Sequence, residues 1–342
     1  MSTTQQRNPD AAERRATMRA AVARKFGGPE VVQLETVPRP EPGPGQVQVR
    51  VRAAGVSVAD HRLRSRDLPR GLAIAGPFMI GMLRPNKPIL GNDAAGVVEA
   101  VGAGVTEYAP GDEVIVMSSG MSMGCHAEYM IVDAAKGICR KPENLTFEEA
   151  AALPFGGYTA LSFLALVELR RGTEVLVNGG SGAVGSIAVQ LAARAGAHVT
   201  AVTSARNEEL VRSLGAQRVI DYAKTDFAAE GRTYDVIVEC VGNAPFRRVA
   251  PILRPGGALL LVVGDLPSML AVKRDSKRSG SLVTFTGRAI PGGEALRTLA
   301  SLAESGELKP VVDRVYDFDD IVEAHRYVDT GRKRGNVIVR IP

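Results

Sequence analysis

The sequence predicts an α/β protein of two units, a β-rich domain followed by a doubly wound parallel sheet. Three observations carry this. The stretch Val175-Leu-Val-Asn178-Gly179-Gly-Ser-Gly182-Ala-Val-Gly185-Ser-Ile-Ala-Val-Gln190 reads as a short apolar strand, a turn with glycine at every third position, and an apolar-periodic helix. Downstream, apolar runs alternate with helical patterns at the period of a parallel sheet. Upstream, short alternating strands are punctuated by Pro/Gly-rich turns, as in an antiparallel or barrel-like domain.

Taken in order, residues 1–17 are polar and charged and lack the apolar centre of a signal peptide; they read as a disordered leader. Strands are expected at residues 20–24, 31–35 and 46–52, with a turn at 38–45, and then at 94–102, 112–117 and 127–132. The most apolar interval outside the sheet, residues 71–83, is broken by Gly and Pro and is too short to span a bilayer, which takes about 20 residues. It reads as a lid or pocket segment. Thr146-Phe-Glu-Glu149 is a capping box, Thr146 as N-cap and Glu149 three residues on, opening a helix through Ala150 to Leu153. The second unit then runs from the Val175 strand through strands at 198–203, 218–222, 234–239 and 257–264, with a helix at 207–214.

At 342 residues, 45% hydrophobic and 23% charged, the chain has the size and composition of a two-domain globular protein. The net charge of +5 is scattered among acids, which argues against nucleic-acid binding. Cys125, Cys139 and Cys240 are too few and too irregularly spaced for a disulfide framework, so a reducing, cytoplasmic setting is expected.

The glycine-rich turn points to chemistry. Gly179, Gly182 and Gly185 let the backbone take otherwise forbidden dihedrals and approach a diphosphate closely, and the N–H groups of Ala183 and Val184 open a helix toward its negative charge. An NAD-specific site carries an acidic residue about 20 residues past the glycines, at the end of the second strand. Here that segment is Thr203-Ser204-Ala205-Arg206-Asn207, without a carboxylate before Glu208. A hydroxyl from Ser204 and a guanidinium from Arg206 suit a 2'-phosphate, which favours NADPH over NADH; the competing reading leaves Arg206 as a solvated residue at a helix start.

The β-rich unit, then Gly91-Asn-Asp93-Ala-Ala-Gly96-Val-Val-Glu99-Ala-Val-Gly102, then Gly111-Asp112-Glu-Val, then the strand–turn–helix, resembles the medium-chain dehydrogenase/reductase superfamily over residues 18–342. Within it the chain resembles the zinc-independent quinone oxidoreductase branch. The resemblance implies a GroES-like catalytic domain formed by residues 18–152 and 294–342, a Rossmann NADPH-binding domain at 153–293, and an active site in the cleft between them. Where zinc-dependent relatives place a cysteine after Gly-Val, Gly55-Val56 is followed here by Ser57; their Gly-His-Glu is Gly91-Asn92-Asp93, their later cysteine falls at Leu153-Pro154-Phe155, and the four-cysteine structural lobe is missing. No metal is therefore expected, and a site improvised from His61, Asp93 and Cys125 lacks the usual spacing. His198 and His325 read as structural.

The resemblance adds Tyr222, Val241, Gly242, Gly264 and Asn336 to the cofactor contacts, with simple packing as the other reading of Tyr222. It implies hydride transfer to a quinone, enone or related activated alkene. Relatives commonly carry Asn where Ser57 stands, so the proton donor is open. His61, with an ordinary pKa near 6.5, is the candidate, with Ser57, Asp60 and Tyr158 as polar partners, while the alternative makes His61 a structural histidine satisfied by a backbone carbonyl. The residue 68–83 segment and the Met-rich loop at 117–123 suit a bulky apolar small-molecule substrate. A homodimer paired through the strand at 281–286 is expected. Two further readings are a zinc-free alcohol dehydrogenase or carbonyl reductase of a biosynthetic pathway, and a non-catalytic NADPH-binding protein.

Overall fold

The computed structural model describes residues 16–68, 71, 80–118 and 123–342. The leader expected at 1–17 lies outside the described residues except for Ala16 and Thr17, and Thr17 already belongs to a strand. Most of the expected lid and the centre of the Met-rich loop lie outside them as well.

The chain opens with an antiparallel hairpin, Thr17–Ala23 against Val32–Pro38. A seven-stranded sheet follows, in the order Val312–Asp317, Asn336–Arg340, Gln46–Val56, Asp93–Val101, Glu113–Met117 and Ile138–Arg140, with Tyr129–Asp133 paired to Gln46–Val56 off this path. C-terminal strands thus join the N-terminal sheet: Val337 pairs with Val56 and Ile338 with Gly55, antiparallel. The central strand buries Val47, Val49 and Val51 completely, as its alternation with Gln and Arg implies.

The second sheet is parallel throughout, in the order Arg218–Asp221, His198–Thr203, Glu174–Asn178, Tyr234–Glu239, Leu253–Leu261, Leu282–Thr284. In sequence order this is 3-2-1-4-5-6, which reverses direction between Glu174–Asn178 and Tyr234–Glu239. Helices cover both faces of such a sheet, so its strands read as unbroken apolar runs: Val175, Leu176 and Val177 are all fully buried. At the reversal, the connections from the carboxyl ends of the two strands part to opposite faces and leave a crevice between Asn178 and Glu239. Leu282–Thr284 forms one edge of the sheet.

Two capping boxes set helix starts. Thr146 accepts from the Glu149 N–H (3.2 Å) and Glu149 accepts from the Thr146 N–H (3.0 Å), opening the helix Phe147–Ala151 where expected. The second, Ser57 with Asp60, opens the helix Val58–Ser65 and was not anticipated. The helix Gly292–Glu304 buries Ala295, Leu296 and Leu299 against the helix Pro154–Leu164 and the strand Ile138–Arg140, tying the two sheets together. Among the described residues, no helix is long and apolar enough to cross a membrane.

Candidate active site

A cleft with a volume of about 1550 Å³ opens at the reversal point, lined by residues from both sheets. One end is the glycine turn. Gly179 sits at φ +83°, a left-handed conformation that excludes most side chains. A Cβ on Gly185 would lie 2.1 Å from the Gly179 carbonyl oxygen, so only glycine lets the helix Ala183–Arg194 start against the turn. Its first bond runs from the Ser186 N–H to the Gly182 carbonyl (2.9 Å), leaving the N–H groups of Ala183, Val184 and Gly185 without helical partners at the cleft wall. No acidic residue sits in that first turn. These features fit a bound diphosphate.

The turn is braced from behind. Thr203 Oγ1 donates to Ser181 Oγ (2.8 Å), and so does Asn207 Nδ2 (3.0 Å). On the opposite strand the fully buried Glu239 accepts from Asn178 Nδ2 (2.7 Å) through Oε2, and from the N–H groups of Val241 (2.5 Å) and Gly242 (2.6 Å) through Oε1. Sequence reading missed these braces, because the signal was only polar residues at the ends of apolar strands.

Of the expected cofactor contacts, Gly179, Gly182, Ala183, Val184, Gly185, Ser204, Arg206, Tyr222, Val241 and Asn336 line the cleft. Gly242 and Gly264 do not: the Gly242 N–H is committed to Glu239, and past the strand Leu253–Leu261 the lining residues are Val262 and Val263. Tyr222 is 64% exposed, which removes the packing reading. Arg206 Nη2 donates to the Arg332 carbonyl (2.5 Å), fixing the guanidinium at the rim beside Ser204, Tyr222 and Lys224. Asn336 Nδ2 donates to the carbonyls of Ala152 (3.1 Å) and Val311 (3.2 Å).

Lys333 is a further residue that sequence reading missed, although the basic run Arg332-Lys333-Arg334 was visible. It lines the cleft half-buried, its Nζ donating to the Gly335 carbonyl (2.6 Å). The Gly335 N–H donates to Ser181 (2.7 Å), which places this ammonium beside the glycine turn. Burial lowers its pKa to about 8, against the opposing charges of Asp313 and Asp93.

At the other end stand Ser57, Asn92, Phe155, Tyr158 and one face of the helix Val58–Ser65. Helical phase decides what that face offers. Val58, Ala59, Arg62 and Leu63 share it, whereas Asp60, His61 and Arg64 turn to the other side. His61, the expected proton donor, is therefore not among the lining residues; its Nδ1 meets Asp329 Oδ1 at 2.7 Å and its Nε2 meets Asp67 Oδ2 at 3.3 Å. Asp60 is also off the cleft, fully buried, accepting from Ser57 N (2.8 Å), Ser57 Oγ (2.7 Å) and the Gly91 N–H (2.8 Å). Both expectations are corrected on this geometry: the two side chains brace the helix rather than face a substrate. Ser57 and Tyr158 line the cleft as expected, and Asn92, 7% exposed, joins them with no side-chain hydrogen bond among the described residues.

The donors do not assemble a metal centre. Among the described residues no three His, Cys, Asp or Glu side chains converge to hold a metal ion. Burial, then the charges of Asp93 and Asp60, raises the Cys125 pKa well above its usual value, disfavouring the thiolate a metal needs. Burial and the Asp60 charge likewise raise Asp93 well above the carboxylate range. His126 Nε2 is engaged with the Gly55 carbonyl (2.9 Å), His325 is buried edge-on against it, and His198 pairs with Glu174 at 3.2 Å on the surface.

Two family models match the chain. Residues 43–143 match the family model described as the alcohol dehydrogenase GroES-like domain, and residues 214–339 the model described as zinc-binding dehydrogenase. The chain is 35% identical over 276 residues to a chloroplast envelope quinone oxidoreductase homolog of Arabidopsis thaliana, covering 76% of this chain and 83% of that one. It is 32% identical over 265 residues to a chloroplastic NADPH-dependent alkenal/one oxidoreductase of the same plant, covering 75% and 64%. The solved structure of the quinone oxidoreductase from Coxiella burnetii superposes with a TM-score of 0.83 at 28% identity, covering 95% of this chain and all of that one.

Proposed function

Because the chain belongs to the medium-chain dehydrogenase/reductase superfamily, in its quinone oxidoreductase-like branch, and is an oxidoreductase of that type, we propose that it is an NADPH-dependent reductase of quinones or conjugated enones. The observation that carries this reading is one continuous cleft, with a glycine turn and a basic rim at one end and Ser57, Asn92 and Tyr158 at the other. When bound, NADPH supplies the hydride that the conjugated system accepts.

This chain's residues do the rest. Ala183, Val184 and Gly185 offer N–H groups to the diphosphate, while Ser204, Arg206, Tyr222 and Lys224 surround a 2'-phosphate. The proton of Ser57 Oγ is committed to Asp60 Oδ2, so Ser57 accepts rather than donates. Asn92 Nδ2 and Tyr158 Oη remain as donors that polarise the substrate oxygen, and the Tyr158 hydroxyl passes a proton to the oxygen as it gains charge. No step is routed through a metal. Pairing of two chains through the edge strand Leu282–Thr284 belongs to the same reading.

Loss of NADPH absorbance tests it with a benzoquinone, a simple enone and a saturated ketone. Oxidation with the quinone or enone and none with the ketone is expected. Activity on the ketone alone would return the chain to the alcohol dehydrogenase and carbonyl reductase reading, and binding without turnover to the non-catalytic one.

Lys333 adds a pH dependence. The ammonium is charged below its pKa of about 8 and neutral above it. NADPH affinity is thus expected to hold from pH 6.5 to 7.5 and to fall about tenfold by pH 9, as the free protein loses the proton that the complex retains. Calorimetry across that range checks it. Lys333→Met should bind more weakly at pH 7 with a flat profile, and an unchanged slope in that variant would remove Lys333 from the phosphate site.

A further inference from the structure

We propose that Arg62 forms an anion-binding subsite at the substrate end of the cleft, so that the preferred quinones or enones carry a carboxylate or phosphate away from the reducible bond. This rests on the reductase reading and narrows its substrate class beyond the apolar one expected from sequence.

The helix Val58–Ser65 turns Arg62 into the cleft next to Leu63 and Leu68. The side chain is half-buried, yet no hydrogen bond or ion pair holds it among the described residues. Two positions on, Arg64 shows what a buried guanidinium in this helix ordinarily has: Nη2 on both Asp329 oxygens (2.8 and 2.7 Å) and Nη1 on the Gly27 carbonyl (2.7 Å). Burial lowers the Arg62 pKa, and the charge of Asp67 opposes this only in part; Asp67 is largely exposed and turned to His61. Desolvating a cation without a partner is unfavourable, and a ligand anion offsets that cost.

The rest of the cleft does not supply that anion. Asp226 is the one carboxylate among the described lining residues, and it pairs with Arg248 at 3.0 Å. Most of the other lining cations belong to the cofactor end. Lys136, another lining residue, is already bound to Asp133 at 2.8 Å. Arg62 lies five residues along the helix from Ser57, roughly 7–8 Å by helical rise, which gives a first choice of spacing for a probe.

The probes are an enone bearing a terminal carboxylate about that far from the alkene, its methyl ester, and the corresponding phosphate monoester. The wild-type protein is expected to favour the carboxylate over the ester about tenfold or more in kcat/KM, through KM, as one charge-assisted contact provides. A larger preference for the phosphate identifies phosphate as the natural group. Arg62→Gln should bring the ratio of carboxylate to ester close to one, and Arg62→Lys should restore part of it. Equal wild-type constants for ester and carboxylate overturn the proposal, and so does a kcat loss of equal size on both in Arg62→Gln, which would place Arg62 at the reacting atoms. Calorimetry of the saturated keto-carboxylate and its ester on the NADPH complex reads the subsite without turnover. If no alkene is reduced but the carboxylate still binds through Arg62, the reductase reading fails and the subsite stands.

Discussion

Asp329→Ala is expected to lower the unfolding free energy by about 3–5 kcal/mol, the usual consequence of stranding a buried charge. Arg64 is fully buried and carries its charge inward from the helix Val58–Ser65, and Asp329, at the end of the helix Ile321–Asp329, accepts from its Nη2 through both carboxylate oxygens. His61 Nδ1 shares the same carboxylate oxygen. Removing the carboxylate leaves Arg64 with the Gly27 carbonyl alone, since its Nε already lacks a partner. Denaturant unfolding followed by circular dichroism measures the loss. The double variant Arg64→Leu/Asp329→Leu should recover most of it, because well-packed apolar residues can replace a buried ion pair at little cost. A single-variant loss below about 1 kcal/mol, the range of exposed pairs, would mean that water reaches the pair freely. The pair also matters to the site, because the helix it anchors positions Ser57 and Arg62.

Arg206→Glu should raise the dissociation constant for NADPH by about two to three orders of magnitude while changing that for NADH by less than about threefold. A charge-assisted bond contributes about 1.5–3 kcal/mol, and replacing the guanidinium by a carboxylate adds repulsion from a phosphate close by. Each 1.4 kcal/mol is a factor of about ten. Arg206→Glu loses the exposed bond to the Arg332 carbonyl, but Ser204, Tyr222 and Lys224 line the rim without depending on it, so the rest of the pocket is expected to survive the exchange. NADH lacks the 2'-phosphate and loses nothing there. Fluorescence titration with both cofactors gives the comparison directly, and equal weakening of the two would show that Arg206 acts on the turn rather than on the phosphate.

How far these arguments could be made without coordinates differs by element. The strands His198–Thr203 and Tyr234–Glu239 fall where the apolar runs place them, and the strand that ends at Asn178 leads into a glycine turn whose spacing already implied a diphosphate. The Thr146 capping box was legible because its two partners, Thr146 and Glu149, lie three residues apart and bond each other. The box at Ser57 was equally local, but its Asp60 was read as a catalytic partner rather than as a cap. His61 was singled out because imidazole chemistry suited the role, and its neighbour Arg62 was not considered; adjacent residues on a helix point about 100° apart. Which of them enters the cleft depends on how the helix docks, and Asp329 on a distant helix helps to set that.

The chain order of apolar runs, glycines and caps therefore determined the two main sheets, the parallel topology of the second, and the glycine turn, because each is encoded by residues close together in sequence whose backbone geometry is intrinsic. Tertiary packing alone decided that His61 and Asp60 brace a helix, that Lys333 reaches the glycine turn, and that Arg62 faces the cleft without a partner. Those outcomes depend on groups far apart along the chain, and whether a buried charge is satisfied is a property of the neighbours folding brings to it.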